Sequence, residues 1–177
     1  MNRRDLLAGL ALASLDGYPQ TPTTGAPSRE SLCIPKPQLV EDRRLLQDFM
    51  DEFSFVDLVT VMPALRITHI PVFLDRAAGA YGTIYGHISR HNPQTEALDG
   101  KQTGVIVFHG PQGYISPVWY DKTGNVVPTW NFAVVHATGK LRPVEEKKEL
   151  NDLLTKLITK FEKSEGTKSQ REHVKSV

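Results

Sequence analysis

Apolar and polar positions along this chain change period several times, and each change marks an element. From Glu41 to Phe53, Leu45, Leu46, Phe49, Met50 and Phe53 recur at three- and four-residue spacing, which predicts an amphipathic helix. Glu41 and Asp42 lie in its first turn, where negative charge suits the helix dipole. The period then shortens. Phe55–Met62 and Leu65–Leu74 are rich in β-branched and aromatic residues and are punctuated by Pro63-Ala64, so they read as a hairpin. After a Gly/Ala turn, Gly82–Ile88 is a third strand. Asn92–Leu98 reads as a short helix with Asn92 as N-cap and Pro93 at its first position. Thr103–Phe108 and Tyr114–Trp119 are a fourth and a fifth strand, and Lys122–Asn125 is a turn. Val126–Val144 is strand-rich with a break near Gly139. Glu145–Phe161 returns to helical spacing, with Leu150, Leu153, Leu154, Leu157, Ile158 and Phe161 on one stripe.

About six strands with few helices between them imply an antiparallel sheet, closed or nearly closed to protect its edges. The expected fold class is α+β, built on a small β-barrel. The chain's 177 residues are one domain's worth and can bury a core without metals or disulfides. Cys33 stands alone, so no internal disulfide is implied. Lys and Arg total 21 against 20 Asp and Glu, a net charge of +1. That balance lacks the basic excess typical of binding through nucleic-acid phosphates. No apolar run is long enough to span a membrane.

The start, MNRRDLLAGLALASL, sets Arg3 and Arg4 before an apolar run from Leu6 to Leu15. That is the pattern of a twin-arginine export leader, with cleavage expected near Ala11-x-Ala13 or Thr24-x-Ala26. The stretch from Asp16 to Ser31 is rich in Pro, Thr, Gly and Ser and reads as a spacer. The expected organisation is therefore a leader and spacer over 1–31, a folded domain over 32–163 and a polar tail over 164–177. Export places the mature protein in the periplasm or an equivalent compartment, away from any membrane. A cytoplasmic location is the alternative.

Three clusters at strand ends carry candidate chemistry. Thr68-His69 lies in RITHIPVF. GHISRHNPQ gathers His87, Ser89, Arg90 and Asn92, a cation, a hydroxyl and an amide beside a helix start, which together suit a phosphate; a capped helix with a surface Arg reads equally well. YISPVWYDKTGNVVPTWNF offers Tyr114, Ser116, Trp119, Tyr120, Thr129, Trp130 and Asn131, ring faces among small polar groups. Alone it would pass as a Trp-rich core with satisfied polar tips. Beside a phosphate cluster it suggests a flat heteroaromatic ligand that carries a phosphate. His87 and His91 are four apart, but on a strand running into a turn they do not converge, so no metal site is expected. There is no G-x-S-x-G, P-loop or Rossmann glycine pattern, and no catalytic acid or base stands out.

CIPKP, ITHIP, YGHISRHNPQ, VFHGPQGYISPVWY and VPTWNFAVVHATG occur in that order, and together they resemble the PaiB-type FMN-binding proteins, often described as negative transcriptional regulators. The resemblance runs from about Cys33 to Phe161. It implies a split antiparallel β-barrel of the flavin-reductase and pyridoxamine-phosphate-oxidase type with flanking helices. It also implies a homodimer with FMN near the interface. By motif, Thr68 and His69 would line the flavin, and His87, Ser89, Arg90 and Asn92 would gather at its phosphate. Tyr114, Ser116, Trp119, Thr129, Trp130 and Asn131 would border the ring. The leader-like start and a shortened C-terminal stretch, TKSQREHVKSV, depart from the family pattern. Export favours a flavin-dependent redox protein over a cytoplasmic transcriptional regulator that meets nucleic acid. A haem-binding barrel using His91, His109 or His173 is a further alternative.

Overall fold

A computed structural model of the chain describes residues 10–14, 34–120 and 127–165. Six antiparallel strands form a closed barrel: β1 (Leu10–Ser14), β2 (Phe55–Thr60), β3 (Arg66–Asp75), β4 (Thr83–Gly86), β5 (Thr103–Ile115) and β6 (Thr129–Val144). Their order around it is β1-β4-β3-β2-β5-β6, and β1 pairs with both β4 and β6. Helix α1 (Arg43–Glu52) precedes β2, and α2 (Lys147–Glu165) follows β6. The α+β split barrel expected from the sequence is the fold.

Alternation within the strands decides what is buried. Val56 and Leu58 of β2, Ile70 and Val72 of β3, and Ile106 and Phe108 of β5 point inward with Ile84, Ala137 and Leu141. Met50 and Phe49 of α1 join this core. Gly104 makes room within it, because a Cβ there would meet the buried side chain of Leu141, 3.0 Å from Cγ. A second cluster lies under α2, where Leu150, Leu153 and Leu154 pack with Val144, Phe73 and Tyr85. The Phe73 and Tyr85 rings stack at 4.9 Å. Arg76 ties the turn after β3 to α1 through Asp48 (2.6 Å) and Asp51, and Lys160 of α2 reaches Asp51 at 3.5 Å.

Several boundaries differ from expectation for identifiable reasons. Helix α1 begins at Arg43 because the Asp42 carboxylate caps it, accepting from the N–H groups of Arg44 (2.8 Å) and Leu45 (3.1 Å). Leu45 is exposed, and Gln47 turns inward instead, donating to the carbonyl of Tyr81 at 2.9 Å. The expected fourth and fifth strands are one strand, β5, with a register shift between His109 and Gln112. Strand β6 runs through Gly139, which pairs with Gly104. Trp119 lies not in a strand but in a 3-10 turn, Pro117–Trp119. Within the expected leader, Leu10–Ser14 is strand β1. The rest of the leader and spacer, Cys33, the turn at 122–125 and the tail beyond 165 lie outside the described residues.

Candidate functional site

The phosphate-type cluster follows β4. His87, Ile88 and Ser89 lead into a turn at Arg90-His91, and Asn92 caps a 3-10 helix, Pro93–Ala97. Within the turn, the N–H of Asn92 donates to the Ser89 carbonyl at 3.0 Å. The N–H of His91 donates to Ser89 Oγ at 3.2 Å. Asn92 is spent at both ends: Oδ1 accepts from the Gln94 N–H, and Nδ2 donates to Thr68 Oγ1, each at 2.9 Å. Gln94 anchors the whole turn. It is fully buried, and Nε2 donates to the Leu58 carbonyl (2.9 Å), Thr60 Oγ1 (3.2 Å) and the Arg66 carbonyl (3.3 Å). Arg66 in turn donates to the Pro93 carbonyl at 2.9 Å and pairs with Glu96 at 3.0 Å.

That anchoring leaves a specific set of groups unspent. Arg90 is exposed and has no hydrogen bond or ion pair among the described residues. His87 is half-buried, and its Nδ1 is buried without a hydrogen-bond partner. Burial holds its imidazole below the ordinary histidine range, so it is neutral at physiological pH. The Ser89 hydroxyl keeps its proton to give. A permanent cation, a free hydroxyl and an orphaned imidazole nitrogen on a rigid turn fit a phosphomonoester. Asn92 acts through the turn's shape instead, since its amide already holds Thr68 and Gln94.

Thr68 and His69 are neighbours on β3 and therefore face opposite sides of the sheet. Thr68 meets Asn92. His69 meets Asp57 of β2, directly across the ladder, on the outer face. Asp57 also receives His109 of β5 at 2.9 Å. Burial alone would raise the Asp57 carboxyl, but the hydrogen bonds and charges of His109 and His69 outweigh it and hold the group below the usual carboxylate range. Asp57 is thus an ionised acceptor, so the nitrogens facing it, His69 Nδ1 and His109 Nε2, carry the protons.

The ring cluster occupies the far end of the β5–β6 hairpin. Tyr114 pairs with Trp130 across the ladder, their rings edge to face at 6.0 Å. Asn131 pairs with Gly113 and Thr129 with Ile115. Ser116 caps the turn at 117–119, accepting from the Val118 N–H at 3.4 Å. Trp119 and Trp130 are 68% and 59% exposed, so these rings are not core. No described hydrogen bond, ion pair or ring contact joins this cluster to the 87–92 turn.

The sequence motifs do not single out Asp57 or Gln94, and they offer His109 only as one of three candidate haem ligands. A single acid inside the apolar alternation FVDLVT was the available sign of Asp57. His91 is exposed, His109 is engaged by Asp57, and His173 lies outside the described residues. Among the described residues no group of His, Cys, Asp and Glu is arranged to hold a metal, and no helix is long and apolar enough to cross a membrane.

Residues 32–176 match the family described as "Putative FMN-binding domain". The chain is 36% identical over 131 residues to the Bacillus subtilis "Protease synthase and sporulation protein PAI 2", covering 73% of this chain and 61% of that protein. It is 35% identical over 113 residues to an uncharacterized Saccharomyces cerevisiae protein, covering 62% and 65%. An uncharacterized Aspergillus fumigatus protein is 33% identical over 132 residues, covering 55% and 51%. The chain thus spans less than two thirds of each of these relatives.

Proposed function

Because the chain belongs to the PaiB-type FMN-binding family and FMN is its cofactor, we propose that it is a flavin-dependent redox protein whose FMN lies between two copies of the chain. The unspent groups of the two clusters carry this reading. Arg90, Ser89 and His87 present unspent phosphate-type groups on one turn, while Tyr114, Trp119 and Trp130 present exposed rings on a distant hairpin. A ligand with a phosphate at one end and a flat ring at the other needs both. In this reading, two copies of the chain together supply both.

In this reading Arg90 binds the phosphate dianion as a fixed charge, and Ser89 and His87 donate to its oxygens. Asn92 and Gln94 hold that turn in place. The hairpin rings cover the flavin face and exclude water. Bound FMN itself supplies electron transfer; the protein supplies orientation and local electrostatics.

Purified full-length chain is expected to carry or take up FMN, to show flavin absorbance and to bleach reversibly under a reductant without oxygen. Arg90→Ala should weaken FMN binding by at least about tenfold, the scale of one charge-assisted contact, with its unfolding midpoint unmoved. A colourless protein that ignores added FMN would sink the proposal, as would wild-type affinity in Arg90→Ala.

A further inference from the structure

The aromatic arm of the β5–β6 hairpin leaves the barrel at one defined point. Up to His109, β5 pairs with β6 in one register, His109 facing Val134; beyond it the ladder resumes with Gln112 facing Phe132. Between these pairs β5 advances by three residues and β6 by two, so Gly110 and Pro111 share the place opposite Ala133. That is a β-bulge, and a bulge bends its strand and sharpens the local twist. On the barrel side, Ile106 and Phe108 are buried. On the far side, Tyr114, Trp130 and Phe132 are 45%, 59% and 67% exposed. The bend divides a closed barrel from an open arm.

Gly110 lies at the inside of that bend. Gly104, Ile106 and Phe108 are the buried, inward positions of β5, and Gly110 is the next place in that alternation. It carries no side chain of its own, and the Phe49 ring of α1 fills the space. A Cβ on Gly110 would collide with Phe49 Cζ and lie 2.6 Å from Cε2 and 3.1 Å from the Ala133 carbonyl oxygen. The Gly110 backbone is not left-handed, so glycine serves here for close approach. A Cβ on Gly113, past the bulge, would meet nothing within 4 Å, so the crowding is confined to Gly110. Phe49 is itself held in place. Its ring packs on Phe53 at 4.7 Å and on the barrel core. Its helix is tied down on either side, Gln47 to the Tyr81 carbonyl and Asp48 and Asp51 to Arg76.

We propose that Phe49 is a positioning residue: its ring, seated in the side-chain-free place at Gly110, sets the angle at which the arm carries Tyr114, Trp119 and Trp130 over the flavin. This step rests on the reading above that those rings cover FMN. A ring packed on an anchored helix is a fixed stop, because close-packed interiors yield little. A methyl at position 110 cannot share the ring's place, so either the ring backs out or the bend opens. Both turn the arm. Its ladder runs on from Gln112 to Ile115, about 10 Å at ~3.3 Å per residue, so a small change of angle at the bulge becomes a larger displacement of the rings.

Both tryptophans of the chain, Trp119 and Trp130, lie beyond the bulge, so intrinsic fluorescence reports the arm. The test uses the purified full-length chain. Tryptophan anisotropy and acrylamide quenching are read before FMN is added, and FMN affinity is then read by titration. Gly110→Ala should change both tryptophan readings and weaken FMN binding at least about threefold, within the range of coupling between residues in contact. Phe49→Leu, which removes the stop, should loosen the arm and weaken FMN binding as well. The double variant Gly110→Ala, Phe49→Leu should move back toward the parent in every reading, because leucine lacks the ring atoms that the methyl would meet. Independent packing losses would add instead of cancelling. A parent chain that takes up no FMN overturns the reading above. An FMN-binding parent whose Gly110→Ala variant keeps the same affinity and the same tryptophan readings overturns the positioning role alone. A double variant no closer to the parent than Gly110→Ala does the same. Should Gly110→Ala fail to fold, Phe49→Leu decides, and unchanged tryptophan readings and FMN affinity in it overturn the proposal.

Discussion

The two faces of β2, β3 and β5 are built from alternate residues of the same strands, yet they follow different chemistry. Inward, Val56, Leu58, Ile70, Val72, Ile106 and Phe108 are at most 4% exposed and belong to one apolar core cluster. Outward, Phe55, Asp57, Ile67, His69 and His109 stand open, and their polar members are satisfied by each other rather than by the core. One face is closed and carries stability. The other is open, and its charges are poised to respond to whatever covers it. A one-residue step along a strand moves a side chain from the first role to the second.

Adjacent residues on β5 test that contrast most severely. Phe108 is fully buried, and Phe108→Ala leaves a large cavity that should cost about 3–5 kcal/mol. His109 is its neighbour, with a side chain 55% exposed, and His109→Ala should cost less than about 1 kcal/mol. Urea unfolding of the two variants reads the difference directly. Similar losses in both would mean that the faces do not divide the labour in this way.

Gln94 crosses the divide, because it is a polar residue on the closed side. Its amide bonds Leu58, Thr60 and Arg66 and so pins the phosphate-type turn to β2 and β3. Gln94→Ala should destabilise the chain by about 1–3 kcal/mol, the cost of leaving buried acceptors unmet. It should also weaken FMN binding, because the turn loses its anchor. Retained FMN affinity beside that stability loss would show that Asn92 and Arg66 hold the turn unaided.

Much of the frame was legible from the pattern alone. The period-2 runs of β2, β3 and β4 and the leucine stripe of α2 announced themselves, because burial on one side forces that spacing. Strand β5 reads as two in the sequence, because Gly110-Pro111-Gln112-Gly113 interrupts its alternation. The ladder instead absorbs it as an irregularity and resumes at Gln112 opposite Phe132. Proline is tolerated at such a point because a bulge frees a residue from pairing. The chemistry of Ser89, Arg90 and His87 was legible too, since these residues are contiguous. The trio was not: Asp57, His69 and His109 are far apart in sequence and meet only through the register of three strands. Thr68 and His69 form one motif in the sequence because they are adjacent, whereas strand alternation sends them to opposite faces.

The smallest effect isolates the open face by its response to acid. The folded chain holds the Asp57 carboxyl below its unfolded value. A carboxyl lowered in this way adds stability that is fully present above the ordinary carboxylate range, near pH ~4. That stability is lost as pH falls through the lowered folded value. The side chain is 27% exposed, so water screens the gain to less than about 1 kcal/mol. Asp57→Asn should therefore unfold slightly more easily than the parent at neutral pH and match it once both are well below that window. Thermal melts across this range, at concentrations low enough to keep the chain monomeric, make the comparison. A gap that stays constant down to low pH would mean that Asp57 contributes shape rather than charge, and would remove the electrostatic basis for treating the outer face as the responsive one.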